Sequence, residues 1–166
     1  MYIFYECTKS PSDVLIVPIL ASSIILNLLY NQNDMENQAR KIVDQMFEAF
    51  DQKDLEKVVA TFTEEAICIY HGTQKMPSAK FKGKDGAAMF FEFNFNNFEV
   101  VKFQKNQFVQ QDNVIVVFGE EHFISNQTKE DLYQKWVQVY TITDGLISRM
   151  EEFATSALDN EYGGNA

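Results

Sequence analysis

Proton transfer is the chemistry that the residue types of this chain offer. The histidines are His71 and His122, and neither has the spacing to cysteines or carboxylates that marks a zinc site, so we expect no metal. Cys7 and Cys68 lie in segments of very different character, which gives no disulfide framework and points to a reducing, cytoplasmic setting. Lys75, Lys80, Lys82 and Lys84 form a basic cluster without a Gly-rich phosphate loop, which reads as a solvated loop in preference to an anion site. Nothing calls for a nucleotide or other cofactor. Carboxylates and imidazoles remain, and general acid–base work is what they do.

The bulk properties narrow the partners. At 166 residues the chain has the size of a single domain with one core. It is 46% hydrophobic and 14% aromatic with 15 Phe, which favours a core or cavity built from rings. A formal charge of -10 repels phosphate backbones and anionic headgroups, so nucleic acid is not an expected partner. Asn126-Gln127-Thr128 matches a glycosylation sequon, a pattern common by chance.

Three segments are expected: an apolar leader over 1–34, a domain over 35–158 and a polar, Gly-rich tail over 159–166. Val14 to Tyr30 is nearly all apolar but interrupted by Pro18, at the bottom of the length that spans a bilayer. It is a marginal anchor, a poor signal peptide, or sequence upstream of a true start at Met35, and a membrane contact is expected only in the first case.

Elements within the domain follow from periodicity. Ile42, Val43, Met46, Phe47 and Phe50 fall on one helical stripe. Asp54 caps a shorter helix with Leu55, Val58, Val59 and Phe62 inside, ended by Thr63-Glu64-Glu65. Ala66 to Tyr70 is a short strand, and AAMFFEF after Gly86 a third helix. Four strand candidates follow: Phe98 to Phe103, Val114 to Ile124, Leu132 to Thr143 and Leu146 to Phe153. Asp112-Asn113, Ser125 to Glu130 and Asp144-Gly145 mark the turns. Helices first and a meander afterwards predict α+β: a curved antiparallel sheet of four main strands plus a short one, wrapped around three N-terminal helices.

Three stretches, Val43 to Tyr70 (VDQMFEAFDQKDLEKVVATFTEEAICIY), Phe81 to Phe91 (FKGKDGAAMFF) and Trp136 to Leu158 (WVQVYTITDGLISRMEEFATSAL), carry a resemblance over nearly all of residues 39–158. In order and spacing they resemble the cone-shaped nuclear transport factor 2-like superfamily, which includes SnoaL-like polyketide cyclases and ketosteroid isomerases. The resemblance implies a cavity that Phe118, Glu120 and His122 face from one strand, Trp136, Gln138 and Tyr140 from the next, and Met150, Glu152 and Ala154 from the last. A slip of one residue would instead turn Glu121 and Glu151 inward.

The familiar catalytic sets are missing. The isomerase base and oxyanion-hole positions correspond to Tyr70, Met46 and Gln138, and the cyclase aspartate to Ala154. The aspartate–arginine–aspartate set of limonene epoxide hydrolases is not evident, since the domain has only Arg40 and Arg149. Glu120, His122 and Glu152 are the catalytic candidates, because carboxylates and an imidazole in an apolar cone would have perturbed pKa values. Tyr70, Gln138, Trp136, Phe118, Tyr140, Met150 and Met46 are the ligand-binding candidates. Phe90, Phe91, Phe93, Phe95 and Phe98 are either a ligand slot or plain core. The expected occupant is a small hydrophobic, carbonyl-bearing molecule. The alternative functions are a non-catalytic binder and a dimeric scaffold, and a homodimer through Val116, Val137 and Val139 is expected in any case.

Overall fold

The computed structural model describes residues 38–157 and residue 161. The leader and most of the tail lie outside the described residues. Helix α1 runs through residues 38–51, burying Ala39, Val43, Met46, Phe47, Ala49 and Phe50. Arg40 and Asp44 pair at 2.9 Å across one turn of the exposed side. Its C-terminus closes with Asp54 N donating to Ala49 O, through a left-handed Lys53 at φ 55°. Asp54 then caps α2 (Leu55–Ala60) by accepting from Lys57 N.

Six strands follow: β1 (Phe62–Tyr70), β2 (Ala79–Lys82), β3 (Phe98–Gln111), β4 (Val114–Ser125), β5 (Asp131–Thr143) and β6 (Leu146–Thr155), with helix α3 (Gly83–Asn97) between β2 and β3. They form one curved, unclosed sheet in the order β2-β1-β6-β5-β4-β3. β1 and β6 are parallel and every other neighbouring pair is antiparallel, so the sheet is mixed. This α+β architecture is the expected one with details changed. β1 begins at Phe62, because TFTEE is extended and does not close a helix. β2 is a sixth strand, one more than expected, that AKFK is too short to announce. β3 continues eight residues past Phe103, to Gln111.

The expected turns join the long strands. Asp144 and Gly145 both have positive φ, at 51° and 75°, the geometry whose twist matches a two-residue hairpin. The core lies between the inner face of the sheet and the helices. Phe47 of α1 meets Phe103, Phe108, Trp136 and Tyr140 at ring separations of 5.9–6.4 Å, which lays α1 across β3 and β5. Phe91 of α3 reaches Phe50 and Phe62. Among the described residues no helix is long and apolar enough to cross a membrane.

Candidate functional site

The inner face of the sheet, α1 and α3 form a cavity of about 270 Å³ that is partly open. Nine of its lining residues are phenylalanines: Phe47 and Phe50 from α1, Phe90, Phe91 and Phe93 from α3, Phe98 and Phe103 from β3, with Phe81 and Phe123. Phe95 packs on Phe50 instead and does not line it. Against this apolar wall stand a few polar groups from the strands: Tyr70, Glu121, Gln134, Gln138 and Glu152, with Asn94 of α3.

Strand pairing sets their positions. Glu121 of β4 lies opposite Gln134 of β5. Gln138 of β5 lies opposite Glu152 of β6, which itself lies beside Tyr70 of β1. Tyr140 Oη donates to Gln138 Oε1 at 2.5 Å, and Gln138 Nε2 donates to Glu152 Oε2 at 2.6 Å. This relay uses both ends of the Gln138 amide and holds one carboxylate oxygen of Glu152. Tyr70 Oη donates to Gln134 Oε1 at 3.3 Å. Glu121 has no hydrogen-bond partner among the described residues, although it is 8% exposed and lines the cavity.

Burial dominates the electrostatics. It pushes Glu152 up to about 7, with the bond from Gln138 pulling the other way. Glu121 is raised well above the usual carboxylate range by burial first and by the charge of Glu152 second. Burial likewise takes Tyr70 up to about 12, helped by the nearby Glu152 and Glu121 charges. Tyr70 and Tyr140 are therefore neutral donors at neutral pH. Among the described residues no Lys, Arg or His lines the cavity to offset the carboxylates.

The expected strand parity holds on β5 and β6 and fails on β4. Trp136, Gln138 and Tyr140 are buried, as are Met150 and Glu152. Of these, Gln138 and Glu152 line the cavity, as do Met46 and Tyr70, whereas Trp136, Tyr140 and Met150 lie in the core outside its lining. On β4 the inward residues are Ile115, Val117, Gly119, Glu121 and Phe123, not Phe118, Glu120 and His122. The cause is steric. Gly119 pairs with Trp136, and a Cβ at Gly119 would come within 2.1 Å of the indole ring and 2.5 Å of Gln104 O. Only glycine leaves room for the ring, so Gly119 must face inward and its neighbours outward. Trp136 stacks there on Phe103 at 5.0 Å, with Nε1 buried and without a hydrogen-bond partner among the described residues.

The displaced candidates have surface roles. Phe118 is 40% exposed. Glu120 pairs with Lys102 Nζ at 2.5 Å, a bond that lowers its pKa. His122 Nε2 lies 2.6 Å from Asp131 Oδ1, and its ring stacks on Tyr133 at 4.1 Å. Glu151 and Arg149 also sit together, partly exposed, bonded to each other and, through Glu151, to His71. The residues missed are Glu121 and Gln134. The signal that could have found Glu121 is the glycine two residues before it, alternating with Val117 and Phe123 on one face. No cluster of His, Cys, Asp and Glu suited to a metal occurs among the described residues.

Solved structures share this fold at low sequence identity. An NTF2-like protein from Burkholderia xenovorans matches with a TM-score of 0.64 at 18% identity, over 72% of this chain and 90% of its own. A protein described as a SnoaL-like polyketide cyclase, from Jannaschia, matches at 0.62 and 18% identity, over 72% and 87%. An epoxide hydrolase of the LEH-like type from M. tuberculosis matches at 0.58 and 12%, over 72% and 84%. Among curated proteins none matches the chain by sequence. With the cone architecture in place and the SnoaL-like domain model matched over residues 43–150, well over half of its length, the chain belongs to the SnoaL-like family.

Proposed function

We propose that the protein binds a small, largely apolar molecule in the phenylalanine-lined cavity and moves a proton on it, in chemistry of the isomerase, cyclase or lyase type. The observation that carries this reading is the pair of buried carboxyl groups, Glu121 and Glu152, in an otherwise apolar enclosure. A cavity of about 270 Å³ is slightly smaller than the roughly 300–1,000 Å³ of drug-sized ligand sites, so the occupant is compact. Glu152 is the proton acceptor. Its Oε2 is fixed by Gln138, its other oxygen is left for substrate, and a pKa of about 7 suits a base working near neutral pH. In the step, a C–H bond beside the substrate's polar group breaks, the proton goes to Glu152, and the electron pair stays on the substrate until the proton returns or a leaving group departs. Glu121 meets the polar group, and Tyr70, a neutral hydroxyl on the same wall, donates to it by turning from Gln134.

Deuterium exchange in D₂O, followed by proton NMR on a panel of compact ketones and amino ketones, tests this. The full chain should exchange the carbon-bound proton of at least one class, and Glu152→Gln should abolish exchange while ligand still binds. Ligand binding with no exchange in either protein would reduce the site to a non-catalytic binder.

The outer face of the sheet supports a second, compatible reading, the homodimer. Phe118 and Phe153 are 40% and 47% exposed there, beside half-buried Val116, Val137 and Val139. Two copies pairing through this face would cover them. Sedimentation at micromolar concentration should give a dimer, converted to monomer by Phe118→Glu; a monomer throughout would refute it.

A further inference from the structure

Glu121 is the group in the cavity that the protein leaves unanswered. The residue is buried, its carboxyl opens on the cavity, and no described residue hydrogen-bonds to it. A carboxyl that the fold leaves without a partner at the wall of a cavity is open to a donor from the ligand. The surroundings say which kind of donor. Gln134 accepts from Tyr70 at its Oε1 while its Nε2 makes no hydrogen bond to Glu121, and Gln138 is committed at both ends to Tyr140 and Glu152. The ionised form of Glu121 only accepts, and it is the form that a bound cation favours against the burial and the Glu152 charge that oppose it. Among the described residues no cationic side chain lines the cavity, and the faces of the phenylalanine rings carry the negative end of the aromatic quadrupole.

Resting on the reading of the cavity as a ligand site, we infer that the ligand's polar end is a protonated amine, held by Glu121 and surrounded by phenylalanine rings. An ammonium supplies the donors that the carboxylate lacks and offsets the charge of the Glu121–Glu152 pair. It is also attracted to aromatic faces, as in other aromatic enclosures for ammonium groups. The -10 charge of the chain draws cations toward the protein rather than repelling them. An ammonium near the reacting carbon also acidifies its C–H bond, so the contact that seats the ligand assists proton removal by Glu152.

Calorimetric titration of the full chain at pH 8 with benzylamine and its close isosteres benzyl alcohol, benzaldehyde and benzoate tests the inference. Benzylamine should bind at least roughly tenfold more tightly than benzyl alcohol, the margin a hydrogen bond between two charged groups adds, and benzoate should not bind. Glu121→Gln, which keeps the shape of the side chain, should erase that preference while benzyl alcohol still binds; retained benzyl alcohol binding shows that the variant is folded. Equal or tighter binding of benzyl alcohol or benzaldehyde would overturn the amine assignment and leave the cavity reading standing. An amine preference that survives Glu121→Gln would overturn the role of Glu121. Failure of all four probes would overturn both the amine assignment and the ligand-site reading at this size class.

Discussion

Replacing Glu152 with glutamine should flatten the dependence of stability on pH. In the folded protein burial raises this carboxyl from 4.5 to about 7. A group whose folded pKa lies above its unfolded value binds its proton more tightly in the native state. Its contribution is fully present below the unfolded value near 4.5 and is lost as pH rises through the folded value near 7. At ~1.4 kcal/mol per pH unit, the window between them corresponds to on the order of 3 kcal/mol, a large share of the roughly 5–15 kcal/mol that holds a domain together. Glu121, raised in the same direction, adds to the loss. The carboxylates held low by partners, Glu120 by Lys102 and Glu151 by Arg149 and His71, act in the opposite sense. Their window lies below the ordinary carboxylate value, outside this range. Urea unfolding of the full chain at intervals between pH 5 and 8 should show wild type losing on the order of 3 kcal/mol, with Glu152→Gln losing markedly less because its amide stays neutral. Equal slopes for the two proteins would refute the claim that the cavity is dry enough to protonate Glu152.

Other perturbations follow from the same geometry. Gly119→Ala should destabilise by roughly 1–3 kcal/mol, since the new methyl would overlap the Trp136 ring. Trp136 is the single tryptophan, so a changed emission spectrum together with a lower urea midpoint would register it. Glu120→Gln and His122→Ala should leave ligand affinity and proton exchange within roughly twofold of wild type, as surface changes away from the site do; a large loss in either would return β4 to the opposite parity. The Cys68 thiol, pushed up to about 12 by burial, should resist a disulfide reagent at pH 8 in a Cys7→Ser background until urea unfolds the chain. Rapid labelling of the native protein would show that β1 opens.

The readable parts of the sequence were those fixed by neighbours along the chain. The α1 stripe of Val43, Met46, Phe47 and Phe50, the Asp54 cap and the Asp144-Gly145 turn are local patterns, and each appears where expected. On β5, the inner face of Trp136, Gln138 and Tyr140 that the resemblance implied is the buried one, alternating with exposed or half-buried residues. On β4, Val114 to Phe118 is apolar at every position, and Glu120-Glu121-His122 is polar at every position, so periodicity favours neither face. What decides is the contact between Gly119 and Trp136, seventeen residues apart in sequence and joined only by the register of two strands. The parallel pairing of β1 with β6 joins the two ends of the domain, and no local pattern announces it.

That one contact reaches the chemistry. If β4 were turned over, Glu121 would join Lys102 and Asp131 at the surface, and Glu120 would enter the cavity in its place. Either parity therefore delivers a carboxyl inside. The glycine determines which one, and it leaves Glu121 opposite Gln134, whose side-chain oxygen already accepts from Tyr70. A buried acid beside an acceptor already in use is costly to ionise in the free protein, because no described residue donates to its carboxylate form. A ligand that donates to Glu121 removes this cost, so it should raise the unfolding midpoint more than an isostere that fills the same apolar space at equal occupancy. Glu121→Gln should abolish the difference. If the two isosteres stabilise the protein equally, the carboxyl is not the group that recognises the ligand.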